Sequence, residues 1–173
     1  MFSRVLIPIS DSVVGHHAAQ VGLMLAHQLN SSVVFLHVLN DHFAPSIDMK
    51  SDSRTLESHG EALLEPWMLA ARKARVSATT RLEPKQDVAI AVAHVAQDEG
   101  CDLILVGTHE RDGVSHLVFG SIAERIVHLA TVPVMLTRYE DEQKKKLVAQ
   151  TLAPQTLAPG NAAKLGVDSA PQI

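Results

Sequence analysis

The sequence predicts an α/β fold: an open, doubly wound, five-stranded parallel sheet with helices on both faces. Three observations predict it. Short, continuous apolar runs rich in β-branched residues recur along the chain, as expected of strands buried on both faces. Amphipathic stretches with three- and four-residue spacing alternate with those runs, and alternation of this kind implies a parallel sheet joined by right-handed crossovers. The chain has 173 residues, 46% of them apolar and 20% charged, which suits one globular domain. Aromatic residues make up only 3%, so the core has to be built from Val, Leu, Ile and Ala.

The elements follow in order. Arg4 to Ile9 (RVLIPI) reads as the first strand. Pro8 is tolerated near its end or wherever no ladder bond is required. Asp11 or Ser12 caps the helix that follows, in which Ala18, Val21, Gly22, Leu25, Ala26 and Leu29 form one face, ended by Asn30-Ser31-Ser32. Val33 to Leu39 (VVFLHVL) is the second strand, and Asn40 to Ser53 a loop. Arg54 to Arg75 is helical in composition, with a late start or a bend expected near Pro66. Val76 to Leu82 is the third strand. Asp87 caps a helix running from Val88 to about Glu99, with Gly100 at its end. Leu103 to Val106 (LILV) is the fourth strand, closed by Gly107. A polar loop runs from Thr108 to about Phe119, Gly120-Ser121 opens a helix through His128, and Pro133 to Thr137 (PVMLT) is the fifth strand.

From Glu140 the composition changes. EDEQKKK is a solvated charge run, TLAP occurs at Thr151–Pro154 and again at Thr156–Pro159, and the remainder is Ala, Gly, Pro and polar residues. The expected organisation is a domain over 1–139 and a flexible tail over 140–173.

Charge and cysteine content narrow the function classes. The formal net charge is −4, so the basic footprint of a nucleic-acid binder is absent. One cysteine, Cys101, excludes an intrachain disulfide and reads as a small buried residue. The opening MFSRVLIPIS has a single positive residue and an apolar run broken by Pro8 and Ser10, unlike a secretory signal. No apolar stretch reaches the ~20 residues of a membrane span. The expected location is the cytoplasm. The ten histidines form no metal-binding framework: His16 and His17 are adjacent on a helix and diverge, His109 and His116 lie in a loop, and His37 reads as a satisfied core histidine.

Leu103 to Arg138 is the most informative stretch. A buried strand ends at Gly107, a loop follows, and Gly120-Ser121 starts a helix. Glycine lets a backbone approach a ligand closely, and a helix start offers unpaired N–H donors suited to a phosphate. Ser121 reads either as a helix cap or as a hydroxyl for that phosphate, and Arg125 as a residue packing or pairing on its own helix. Over VGTHERDGVSHLVFGSIAERIVHLATVPVMLTR, with VLIPISDS and VVFLHVL for the first two strands, the sequence resembles the universal stress protein family. The resemblance covers residues 3–138.

The resemblance implies a Rossmann-like fold of the adenine nucleotide alpha hydrolase-like type, dimerisation through the last strand (Val134–Thr137), and a regulatory rather than enzymatic role. Nucleotide-binding members carry Gly-x2-Gly-x9-Gly-Ser/Thr. Gly107 matches its first glycine, Gly120 its third and Ser121 its hydroxyl, while Glu110 stands where the second glycine is expected. An acidic residue expected after the first strand is replaced by Ser10, with Asp11 in the place of the following glycine. Val38 matches the adenine side of the site, with Pro8 and Ile9 beside it.

These departures have physical consequences. Unit charges 4 Å apart repel by ~4 kcal/mol at an effective dielectric near 20, enough to offset several phosphate hydrogen bonds, unless Glu110 turns to solvent or shares a Mg²⁺ with the phosphates. Three functions follow. The first is a non-enzymatic, dimeric stress-response regulator with a partly degenerate adenine-nucleotide site, read by an unidentified protein partner. The second is a sensor that binds ATP with Mg²⁺. The third, a slow ATPase, lacks the lysine of a Walker motif and any catalytic constellation legible from spacing.

Overall fold

The structure is a computed structural model that describes residues 2–39, 53–84, 86–108 and 120–139. Five strands, β1 (Arg4–Pro8), β2 (Ser32–Val38), β3 (Ala78–Glu83), β4 (Leu103–Thr108) and β5 (Val134–Arg138), form one sheet in the order β3-β2-β1-β4-β5. Every pairing is parallel. The helices are α1 (Val13–Leu29), α2 (Ser53–Lys73), α3 (Val88–Asp98) and α4 (Ser121–Leu129). The predicted class and element order are those observed.

The continuous apolar strands are buried on both faces, and the core is accordingly split in two. On one face Val5, Ile7, Val33, Phe35, Leu103 and Leu105 pack against Ala18, Leu23 and Ala26 of α1 and Leu64 and Ala71 of α2. On the other, Leu6, Val34, Leu36, Val38, Ile104 and Val106 pack against Val92 and Val95 of α3 and Ala123 and Ile126 of α4. Alternate residues of one strand thus serve opposite cores, the period-two rule of a pleated strand.

Local signals set the helix ends. Ser12 is the N-cap of α1, its Oγ accepting from Gly15 N–H at 3.0 Å. Asn30 closes α1 in the left-handed region at φ 54°, a conformation asparagine tolerates. The Asp87 carboxylate caps α3 by accepting from Ala89 and Ile90 N–H, both at 3.1 Å.

Beyond shifts of one or two residues at element ends, three features differ from expectation. α2 starts at Ser53 and continues through Pro66 as one helix; the packing of Leu64, Trp67, Met68 and Ala71 against the sheet outweighs the loss of one backbone donor. β4 does not stop at Gly107 but runs to Thr108, because β5 pairs with it as far as Thr108↔Arg138. Ser121 does not cap α4: Gly120 holds the cap position, and among the described residues no side chain bonds there. The expected tail from residue 140 lies outside the described residues. No helix among the described residues is long and apolar enough to cross a membrane.

Candidate functional site

The order β2-β1-β4 reverses direction between β1 and β4, and an open parallel sheet offers a crevice at such a point, beyond the carboxyl ends of its strands. Here the crevice is opened by the ladder itself. β1 pairs with β2 as far as Pro8↔Leu36, and β4 with β5 as far as Thr108↔Arg138. Between β1 and β4 only Val5↔Leu103 and Leu6↔Ile104 pair. Pro8 explains the early end. Ile9 N–H points to β2, donating to Leu36 O at 2.7 Å, so by alternation the nitrogen of Pro8 faces β4, and proline has no hydrogen to donate. The two strands therefore part at their tips and leave a notch.

Of the residues singled out in the sequence, seven lie at this end of the sheet. Pro8, Ile9 and Ser10 finish β1 and leave it, Val38 ends β2, Gly107 is the penultimate residue of β4, and Gly120 and Ser121 begin α4. α4 connects two parallel strands and so runs against them, which places its N-terminus at the carboxyl edge of the sheet. Glu110, with His109, Arg111, Gly113 and His116, lies outside the described residues.

The geometry changes the reason for some of these residues. Gly107 is expected to give a ligand close access, yet its absent side chain is required by α1. A Cβ there would stand 2.6 Å from Val14 O and 2.6 Å from Val14 Cγ1, so the first turn of α1 already occupies that space. Ile9 is 4% exposed, and both its backbone polar groups have partners: the N–H on Leu36 and the carbonyl, at 2.9 Å, on His37 Nδ1. Ser10 Oγ lies 2.9 Å from Ser12 Oγ, turned into the head of α1, where Gly15 leaves room; a Cβ on Gly15 would come within 2.5 Å of it. The Asp11 carboxylate is mostly exposed, 3.9 Å from His16 Nε2.

The two helices of the α3/α4 face begin differently. The N-terminus of α3 is filled by its own Asp87, which also accepts from Arg125 of α4. Those donors outweigh the cost of burial and hold the Asp87 carboxyl below the usual carboxylate range. Arg125 therefore pairs across to α3, not along its own helix. α4 starts on Gly120 at φ 24°, and among the described residues it has no cap side chain and a Cβ on Gly120 would meet nothing within 4 Å. The first N–H groups of a helix have no intrahelical acceptor, and such an open start, with the positive end of the helix dipole, suits an anionic oxygen. The donor set in the described residues thus suits a phosphate at α4, while Val38, only 6% exposed, belongs to the core on the α3/α4 face.

Sequence reasoning passed over the link from His37 to Ile9, the pairing of Arg125 with Asp87 and the seat of Val14 on Gly107. Each joins residues distant in the chain, and local pattern carried no signal for them; only the apolar setting of His37 hinted at a satisfied ring.

The comparisons with known proteins agree with this architecture. A putative universal stress protein of Staphylococcus epidermidis is 27% identical over 157 residues, covering 89% of this chain and 94% of the relative. Among solved structures, a universal stress protein family protein of Arabidopsis thaliana with AMP bound superposes with a TM-score of 0.60 at 16% identity, covering 82% of this chain and 94% of that one. A universal stress protein in complex with cAMP gives 0.59 at 15%, covering 80% and 98%. At these identities the two superpositions show the fold. The sequence profile of the universal stress protein family matches residues 1–138, and the chain belongs to that family.

Proposed function

We propose that the protein is a non-enzymatic, dimeric regulator whose β1/β4 notch takes an adenine nucleotide, with triphosphate binding weakened by Glu110. The observation that carries the reading is the open N-terminus of α4, beginning at Gly120 without a cap, beside strands parted at Pro8. α3 supplies the contrast, since its own Asp87 already fills the equivalent donors. Similar folds hold AMP and cAMP, and a helix start with free N–H donors suits a phosphate. Pro8 and Val38 would flank the nucleoside end, and Gly120 and Ser121 the phosphate end, while Gly107 and Ser10 act through their contacts with the first turn of α1. By the resemblance Glu110 replaces a glycine of the phosphate-binding pattern, and a carboxylate facing a γ-phosphate would repel it.

Titration calorimetry of the wild-type chain and of Glu110→Gly with AMP, and with ATP plus Mg²⁺, tests the reading. The wild type is expected to bind AMP and to bind ATP at least tenfold more weakly than Glu110→Gly does, equivalent to about 1.4 kcal/mol. Micromolar ATP binding by the wild type overturns the degenerate site. It favours the second reading, an ATP-dependent sensor, for which the same open helix start speaks. The partner that reads either state is a second protein, and its surface is not specified by the notch.

A further inference from the structure

We propose that His37 is a positioning residue for the notch: its imidazole holds the Ile9 carbonyl and thereby sets the course of the β1–α1 segment that forms one wall and packs against the other. The inference rests on the reading of the notch as an adenine-nucleotide site. It assigns a role to a side chain that approaches the site through the backbone of Ile9.

The contact is directional. A carbonyl oxygen only accepts, so the 2.9 Å contact between His37 Nδ1 and Ile9 O requires the proton on Nδ1. Ile9 stands just past the last β1–β2 pair, Pro8↔Leu36. Its N–H is held by Leu36 O and its carbonyl by the ring, so β2 grips the residue at both ends. The ring is itself confined. Gly60 of α2 lies so close that a Cβ there would be 3.1 Å from His37 Cδ2, 3.0 Å from Leu39 Cδ2 and 2.7 Å from Leu82 Cδ2. The absence of a side chain at Gly60 lets α2 press the imidazole into one orientation.

From Ile9 the constraint passes along short steps. Ser10 Oγ bonds with Ser12 Oγ at 2.9 Å, and Ser12 caps α1 by accepting from Gly15 N–H. The next residues place Val14 on Gly107, at the opposite wall. The ring thus anchors the start of a segment that spans from the tip of β1 to the tip of β4. Burial disfavours the charged ring, which is consistent with a neutral imidazole committed to this one bond.

Two variants and one measurement on the unaltered chain test the role. His37→Asn keeps a donor at the Nδ1 position, because its amide nitrogen is also bonded to Cγ; His37→Leu keeps bulk and loses the donor. In the full chain, His37→Leu is expected to speed amide exchange over Ser10 to His16 by about tenfold, the scale of one lost buried hydrogen bond. His37→Asn restores slow exchange, and β2 amides from Val33 to Leu36 are unchanged in both. AMP affinity is expected to fall about tenfold in His37→Leu and to recover in His37→Asn. Unchanged exchange in His37→Leu overturns the proposal. A wild type that takes up no AMP, with the exchange difference still present, overturns the nucleotide reading and leaves the positioning of the segment standing. If His37→Leu does not fold, nitrogen NMR of the wild type decides: the Nδ1–H tautomer supports the role, and the Nε2–H tautomer overturns it.

Discussion

Val14 sits where a side chain on residue 107 would be: a Cβ on Gly107 would lie 2.6 Å from the Val14 carbonyl oxygen. Backbone cannot yield as the far end of a side chain does, so Gly107→Ala has to lift the first turn of α1 away from β4. Overpacking of this kind costs about 1–3 kcal/mol. Urea unfolding of Gly107→Ala against the wild type measures it, and equal midpoints would show that Val14 does not rest on Gly107. The same displacement moves Ser12 and Ser10, so nucleotide affinity is expected to fall together with stability.

Cys101 is buried at the turn between α3 and β4, 4% exposed. Burial pushes its thiol up to about 11, from 9.0, against the opposing pull of Arg4. At pH 8 a shift of this size leaves on the order of a hundredfold less thiolate than an ordinary cysteine would carry, and the thiolate is the reactive form. Labelling with a disulfide reagent at pH 8 is therefore expected to be about a hundredfold slower in the native protein than in urea. Rapid native labelling would place the thiol at the surface.

His37 carries a pH dependence whose sign is determined by its environment. Burial lowers its pKa, the hydrogen bond to Ile9 opposes that, and the neighbouring His59 on α2 lowers it further. The unfolded chain therefore takes up a proton near the ordinary histidine value of 6.5 while the folded chain still refuses one. Stability is unaffected by this group above that pH and falls as pH drops through it toward the folded value, below which the loss levels off. Urea midpoints from pH 7.5 to pH 5 are expected to decline more steeply for the wild type than for His37→Asn. Parallel declines would assign the acid sensitivity to other groups.

The fold was legible because a parallel sheet buried on both faces writes itself as uninterrupted apolar strands, and RVLI, VVFL and LILV are such strings. Caps were legible for the same local reason: Ser12 and Asp87 bond to amides two or three residues ahead. Pro8 is tolerable near a strand's end or where no ladder bond is needed, and it stands at the last position of β1 with its nitrogen toward β4. What sequence could not supply was the partner of each glycine and each polar group. Gly107 advertises close approach, yet only the crossing of α1 over β4 identifies Val14 as what approaches. Arg125 shows a charge without saying that Asp87 receives it. Pro66 signals a break, and the apolar face of α2 overrules it.

The two edge strands differ in a way that bears on dimerisation. β3 carries Arg81 and Glu83, paired at 3.1 Å, with Arg81 also 3.6 Å from Glu99; charged edges resist pairing with another copy. β5 reads Val-Met-Leu-Thr before its first charge at Arg138. Pro133 O accepts from Ile104 N–H, so by alternation Met135 and Thr137 turn their backbone groups to β4, while Val134 and Leu136 turn theirs outward. An antiparallel pairing of β5 with its copy across a two-fold axis would use those outward groups. Leu136→Pro removes an outward donor while sparing the β4–β5 ladder, and proline is accepted on such an edge. Light scattering at micromolar concentration is expected to give twice the chain mass for the wild type and the single mass for Leu136→Pro, with far-ultraviolet circular dichroism unchanged. A monomeric wild type, or a dimer that survives the proline, would show that the copies meet elsewhere.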